Sequence, residues 1–530
     1  MVPIGVGATT RPGLVHRTAS RVFLPRRALL SFGLAAGAYA PDRGILRVTI
    51  RGNGRTLGQR TLDPRMAPFR HESLAFDGPG REGTLEVDLR LTDSAGRSLP
   101  QAVGGSAAVT DPTLFDRDGI RGVVLVSIDT LRRDHVGLYG YGRPTTPRLD
   151  ALARQGVAFD DAVSVSSWTL PAHLSMLTSV EPAVHGGVDG HHGFNHGVPS
   201  LAQTLRRAGF TTHAITSHLY VSPAYGLDAG FDHFDYADER RATEVADRAV
   251  AALNGFGQRP FLLFLHFYDP HWPYAAPEAH REPFGAKAAR GLGSRPSGNA
   301  APADPAPLRD AYDAEIHYTD AQIGRVLDHL DRTGLSRHTL VVVTSDHGEE
   351  FGEHGGYEHL RTLYEEIIRI PLVLRAPRVT PRVERAQVSL LDVAPTVLDA
   401  IGLPPAPTHR GQSLLGPLGE GEAHGETDLG AFVGPRRTRK LFVRAGVDRG
   451  KLILTLDRRT GETLTEEWFD LARDPLEAKA AVPPTVEAEA WRDRLLARWR
   501  EARRNAGAGS EVMLDDEERG RLQALGYLGR

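Results

Sequence analysis

Thr169 opens the stretch of this chain with the most evident chemical potential. Leu170-Pro171 follows it, and Ala172-His173-Leu174-Ser175-Met176-Leu177 reads as the first turns of a helix. Pro171 suits the first helical position, where a missing N–H costs nothing. That places Thr169 just before a helix N-terminus, where free N–H groups and the helix dipole favour an anion. A hydroxyl beside an anion site is where phosphoryl or sulfuryl transfer needs its nucleophile. The plainer alternative is a capping threonine.

Three further residues could complete such a site. Asp129 follows the apolar run Val123–Ile128, and Asp346-His347 closely follows the run Thr339–Thr344. Both runs have the texture of strands buried on two faces of a parallel sheet. Their C-terminal ends form the edge where open α/β sheets bind ligands. Two carboxylates and an imidazole meeting there make a hard-to-borderline metal site. A divalent cation would favour the alkoxide of Thr169 and offset charge on a transferring group. Read singly, each residue is equally a cap or turn residue, as in Asp346-His347-Gly348.

Histidines cluster in neighbouring segments. In His266-Phe-Tyr-Asp-Pro-His-Trp-Pro-Tyr274, directly after a strand, Asp269, His271 and His266 are candidates to contact a metal or act as general acid. His354 and His359 lie in a glycine-rich loop beyond His347, and His173 lies one turn into the helix after Thr169. His185 and His218 read as satisfied surface or core histidines. Among these secondary residues His271 and His359 carry the most weight.

The elements that must position these groups are legible in outline. The 530 residues allow more than one domain. Net charge of −3 gives no global basic field for nucleic acid, and the absence of cysteine excludes disulfides, thiolate metal sites and a cysteine nucleophile. No apolar run is long enough to span a bilayer. Residues 1–28 read as an N-terminal segment without evident order. Arg26–Ala40 reads either as a twin-arginine export signal, hence a periplasmic protein, or as the first strand of a β-rich domain; without export the expected location is cytoplasmic. Residues 29–118 look like a small all-β sandwich, with strands at Ile45–Arg51 and Gly83–Thr92, whose role is bracing.

From 119 to 403 helices and strands alternate, predicting an α/β domain with a mainly parallel central sheet. Helices are expected over Pro147–Gln155, Ser200–Ala208, Asp238–Leu253 and around Tyr312–Leu330; strands over Thr212–Ser217, Pro260–Phe267 and Pro371–Leu374. Arg281–Pro307 reads as a long loop overhanging the active face. Residues 404–530 read as a small α+β subdomain with strands near Lys440 and Lys451 and a charged helix over Val486–Arg503.

Across Arg121–Pro475 the chain resembles the sulfatase family of the alkaline-phosphatase-like superfamily. The resemblance rests on Val126-Ser-Ile-Asp-Thr-Leu-Arg-Arg-Asp134, Gly140–Ala153, Asp269-Pro-His271, Tyr312-Asp-Ala-Glu-Ile316, Thr344–His354, Tyr364–Leu372, Leu391–Thr396 and the closing Trp468–Pro475. It implies that fold, and that the Thr169 turn is the nucleophile turn. Sulfatases carry cysteine or serine there, heading Cys/Ser-x-Pro-x-Arg and oxidised to formylglycine. This chain has Thr169, keeps Pro171 and places His173 where arginine is expected. Thr130 replaces the second aspartate of the N-terminal pair, and His347 replaces the asparagine of the Asp-Asn metal pair. The Gly-Lys-x-His segment is missing, with Thr216-Ser-His218 near its place, and His359 falls near an expected lysine.

The resemblance therefore implies a metal-dependent ester hydrolase without formylglycine, with Thr169 as direct nucleophile. Asp129, Thr169, Asp346 and His347 would hold a divalent cation, zinc or manganese in preference to calcium. His271, His359 and His173 would assist, with Asp269, His271 and His359 as candidates for a second cation. The expected substrate is a small-molecule, glycan or lipid-head-group ester of phosphate, phosphonate or sulfate. The alternatives are a phosphoryl-group transferase, with an alcohol in place of water, or a binding protein on a sulfatase scaffold.

Overall fold

The computed structural model describes residues 2–3, 8–10, 15–36, 45–62, 69–92, 97, 107–116, 118–286, 304–419, 421–428, 438–445, 450–482, 485–507 and 509–524. At its centre lies an eight-stranded sheet. In chain order its strands are β1 (Gly122–Ile128), β2 (Val157–Val163), β3 (Thr211–Thr216), β4 (His233–Tyr236), β5 (Phe261–Phe267), β6 (Thr339–Ser345), β7 (Arg369–Arg375) and β8 (Arg382–Ser389). Their spatial order is β4-β3-β5-β1-β6-β7-β2-β8. Only β7 runs against its neighbours, so the sheet is mixed but mainly parallel, as the alternation predicts.

Side chains alternate across the sheet because successive Cβ atoms point to opposite faces. Val123 and Leu125 of β1 join one core with helix α1 (Thr169–Thr178). Val124 and Val126 join the other, with α2 (Ala242–Phe256) and α3 (Ala306–Thr333). All seven residues of β1, of β5 and of β6 are buried, which explains their unbroken apolar runs. Strands β2, β4 and β8 escape the sequence pattern. Val157-Ala-Phe-Asp-Asp-Ala-Val interrupts its apolar run with two aspartates, while β4 and β8 are sheet edges whose solvent-facing residues need not be apolar.

Upstream, strand Ala28–Ala36 lies between Phe69–Phe76 and Ala107–Asp116. Arg26–Ala40 thus contains a strand, but not the first of the β-rich region as expected, because Val15–Leu24 precedes it. A second antiparallel sheet contains Val15–Leu24, Arg81–Thr92, Ile45–Gly52 and Arg55–Leu62, so β-structure begins upstream of Leu29. Leu30, Val48, Ile50 and Val87 fill the space between the two sheets. Leu29 and Phe115 face outward into the main core, where the Phe115 ring meets Phe210 at 5.4 Å.

After the main sheet, Glu422–Asp428, Thr438–Ala445, Gly450–Asp457 and Thr463–Asp470 form an antiparallel sheet covered by the helix Thr485–Arg504. Buried Arg444 ties it to the main sheet through Asp161 of β2 (2.7 Å) and also binds Glu365 (3.0 Å), in the short helix just ahead of β7. Of the expected loop Arg281–Pro307, residues 287–303 lie outside the described residues. No helix among the described residues is long and apolar enough to cross a membrane.

Candidate active site

Sheet register brings the first residues together. Ile128 of β1 is level with Phe267 of β5 and Ser345 of β6, so the next residues of all three strands emerge at one edge. Asp129 and Asp346 meet there, and His266, paired with Ser127, lies one step back on β5. Thr130 takes a left-handed backbone (φ 57°), which is uncommon for threonine and turns the chain sharply after Asp129. Tyr312 of α3 secures this turn, donating to the Thr130 carbonyl (2.6 Å) while accepting from Arg132 N (2.9 Å). Gly348 is required after His347, because a Cβ there would meet the Glu366 carbonyl oxygen at 2.0 Å.

Thr169 is the first residue of α1, not the residue before it, and Trp168 is the cap. Pro171 accordingly sits at the third helical position. Its missing N–H still costs nothing, because the first N–H groups of a helix have no intrahelical partner. The turn ahead of Thr169 is held from elsewhere. Glu426 N donates to Val165 O (2.9 Å), Ser166 Oγ donates to Glu426 O (2.8 Å), and Leu360 N donates to Ser167 O (3.0 Å).

These elements converge on a buried group of donor atoms. Thr169 Oγ1 lies 3.4 Å from His347 Nε2. The same nitrogen is 3.3 Å from Asp346 Oδ2 and 3.7 Å from Asp129 Oδ1. His347 Nδ1 donates to the Gly348 carbonyl (3.0 Å), so in the neutral ring Nε2 offers a lone pair. Asp346 Oδ1 accepts from Thr130 N and His347 N, whereas Asp346 Oδ2 and both oxygens of Asp129 have no hydrogen-bond partner. Acceptors thus face acceptors in the interior, an arrangement that costs free energy unless a cation lies among them. Burial, with the charges of Asp346 and Glu349, pushes the Asp129 carboxyl well above the usual carboxylate range. The separations of 3.3–3.7 Å match the roughly 3.4 Å between ligands of a tetrahedral zinc-type ion. The residues present therefore fit a divalent cation.

His359 borders this group, its ring 4.5 Å from that of His347, with Nδ1 held by Glu349 (3.1 Å). His271 lies 5.2 Å from the His359 ring, and its Nδ1 donates to Trp272 O (2.6 Å). His173 and His266 are fully buried against the carboxylates. His173 Nδ1 is 3.6 Å from Asp346 Oδ2, and His266 Nε2 is 3.5 Å from Asp129 Oδ2. Burial lowers the pKa of both rings; for His266, neighbouring imidazoles lower it further.

Other candidates are placed elsewhere. Asp269 binds Arg241 (2.5 Å) and the N–H of Ala242 (2.7 Å) at the start of α2, so its oxygens are spent on a helix terminus. His354 pairs with Glu366 (2.8 Å) and Glu477 O (3.1 Å) and stacks on Tyr364. His185 bonds Ser175 (3.0 Å) in the core, and His218 accepts from Tyr220 N at Nδ1, its ring 5.9 Å from that of His271. Glu349, which holds His359, escapes a reading of the sequence. Its only signal is its position in Asp346-His-Gly-Glu349.

Comparison with known proteins gives the family. Residues 121–403, more than half of the chain, match the family model described as Sulfatase. The chain belongs to the sulfatase family. It is 26% identical to the sulfatase YidJ of Escherichia coli strain K12, covering 52% of this chain and 66% of that protein. It is 30% identical to N-sulphoglucosamine sulphohydrolase of Homo sapiens over 51% of this chain and 58% of that one. The chain thus spans less than two thirds of these sulfatases. A phosphonate monoester hydrolase of Silicibacter pomeroyi shares the fold, with TM-score 0.57 and 21% identity over 72% of this chain and 95% of that one. In this sulfatase-family chain Thr169 begins α1 and His347 follows Asp346 at the edge of the central sheet.

Proposed function

We propose that this sulfatase-family protein is a metal-dependent hydrolase of phosphoric, phosphonic or sulfuric esters, with Thr169 as its direct nucleophile. One observation carries the reading: Asp129 and Asp346 turn unsatisfied carboxylate oxygens toward His347 Nε2, which itself meets the buried Thr169 hydroxyl. A divalent cation held by Asp129, Thr169, Asp346 and His347 would supply a Lewis acid that favours the threonine alkoxide and offsets charge on the substrate. The nitrogen-containing donor set suits zinc or manganese better than calcium.

Thr169, on the first turn of α1, presents its oxygen for in-line attack on phosphorus or sulfur. The bond to the leaving oxygen breaks as the threonyl ester forms, and water then hydrolyses that ester. His271 and His359 border the centre and would protonate the leaving oxygen. His173 and the N-terminal end of α1 would steady the anion. Without an aldehyde hydrate, turnover requires hydrolysis of an ordinary ester, which is a route used for phosphoryl groups and favours phosphate or phosphonate substrates. The family's sulfatases and the phosphonate monoester hydrolase fold bracket the chemical class.

The deciding experiment is a side-by-side assay of aryl sulfate, phosphate monoester, phosphodiester and phosphonate monoester with zinc, manganese and calcium. Turnover of a phosphorus ester with zinc or manganese is expected. A metal-loaded protein inert to all four classes would refute the proposal.

A further inference from the structure

We propose that Glu349 is a positioning residue for the reaction, fixing the His359 imidazole as the group that hands a proton to the leaving oxygen. This deepens the hydrolase reading and rests on it.

Backbone register creates the pair. Glu350–Phe351 and Tyr357–Glu358 form a two-stranded antiparallel hairpin in which Glu350 pairs with Glu358. The next residues outward, Glu349 and His359, therefore stand opposite one another, and Glu349 Oε1 lies 3.1 Å from His359 Nδ1. Both side chains are buried, so solvent screens the contact little.

The backbone of His359 is held as firmly as its ring. Its neighbours Glu358 (φ 74°) and Leu360 (φ 84°) are both left-handed. Such backbone is uncommon outside glycine and persists where the surroundings enforce it. For Leu360 the enforcing element is the turn before Thr169. The Leu360 N–H donates to the Ser167 carbonyl (3.0 Å), and its own carbonyl lies 3.0 Å from Ser167 Oγ and 3.1 Å from Thr427 Oγ1. His359 is thus tied through its backbone to the proposed nucleophile and through its ring to Glu349.

The partner at Nδ1 separates the two candidate acids. His271 Nδ1 meets a neutral carbonyl, whereas His359 Nδ1 meets a carboxylate. A carboxylate there stabilises the imidazolium, the form that gives up a proton. As the Thr169 alkoxide bonds to phosphorus or sulfur, the bond to the leaving oxygen breaks. Its electron pair stays on that oxygen, which takes the proton from His359 Nε2. The neutral ring then takes a proton from the water that hydrolyses the threonyl ester, and Thr169 departs again as the alkoxide.

Leaving-group dependence tests this on the full-length, metal-loaded protein. The probes are 4-nitrophenyl and benzyl phenylphosphonate, or the corresponding sulfates where only those turn over. 4-Nitrophenolate departs without a proton, and benzyl alkoxide does not. Glu349→Gln should lower kcat/KM for the benzyl ester by about 10-fold or more, and for the 4-nitrophenyl ester by less than about 3-fold. His359→Gln should show the same split, and adding Glu349→Gln to it should cost nothing further, because Glu349 acts through His359. His271→Gln should leave the ratio between the esters unchanged. Wild-type protein, which needs no variant to fold, should itself turn over the two esters at comparable rates. Equal losses on both esters in Glu349→Gln, no loss, a steep wild-type preference for the 4-nitrophenyl ester, or a split seen only in His271→Gln would each overturn the inference while leaving the proposed function standing. Wild-type protein inert toward every ester removes the proposed function instead.

Discussion

Thr169 Oγ1 and His347 Nε2 lie 3.4 Å apart, fully buried, although 178 residues separate them. Because His347 Nδ1 is bound to the Gly348 carbonyl, its ring cannot rotate away without breaking that bond. The hydroxyl and the imidazole are therefore held in one place before any substrate arrives. Thr169→Ala should lower kcat/KM by about 10³-fold or more while leaving the circular dichroism spectrum unchanged. Thr169→Ser should keep measurable turnover and yield a trappable ester under acid quench. Near-normal rates in the alanine variant would remove Thr169 from the mechanism.

In the proposed function, the preference for zinc or manganese rests on His347. Replacing it with asparagine restores the oxygen-rich pair of the family pattern and removes the imidazole donor. His347→Asn should weaken zinc binding by about 10-fold or more and raise relative binding of calcium. Calorimetric titrations with each ion check this, and an unchanged zinc affinity would count against His347 as a ligand.

Metal-free protein should gain stability from loss of the Asp129 charge. Its raised pKa means that, without a cation, the folded state holds a proton there more tightly than the unfolded chain does. Stability of the stripped protein is thus lost as pH rises above the ordinary carboxylate pKa. Asp129→Asn should raise the Tm of the stripped protein at neutral pH, and zinc should then add less to it than in the wild type. Scanning calorimetry with and without chelator reads both.

His354 gives a second pH signature, far from the nucleophile. Burial opposes its charge, but Glu366 and Glu477 prevail and lift its pKa to about 9. Raised above the ordinary value of about 6.5, this group contributes stability that is fully present below pH 6.5 and lost as pH rises through about 9. His354→Gln should flatten the decline in Tm across that interval. An identical decline in the variant would assign it to another group.

The turn before Thr169 packs against a distant glycine. A Cβ on Gly425 would lie 2.3 Å from the Val165 carbonyl oxygen, a backbone atom that cannot swing aside. Gly425→Ala should therefore shift the turn before Thr169, lowering kcat more than it changes KM, with the fold retained. Equal kinetics would show that the turn tolerates displacement.

The sequence by itself determined the strand cores and the outline of the site. Val123–Ile128 and Thr339–Thr344 are apolar throughout because both of their faces are covered, and an aspartate at the end of such a strand must emerge at the ligand-binding edge. Asp129, Asp346 and His347 were legible for that reason, and Thr169 from the helix start it precedes in sequence reading, all reinforced by the family motifs. Only the tertiary structure decided among the histidines. His266 and Asp269 are three residues apart in one motif, yet His266 faces Asp129 while Asp269 is consumed by Arg241 and the start of α2. His173 and His185 belong to neighbouring helices, yet one meets a carboxylate and the other a serine. Composition cannot separate such pairs, because partners for Nδ1 and Nε2 come from strands and turns remote in the chain. Parallel register aligns Asp129, His266 and Asp346, and the C-terminal sheet fixes the turn before Thr169; neither leaves a mark on the local sequence.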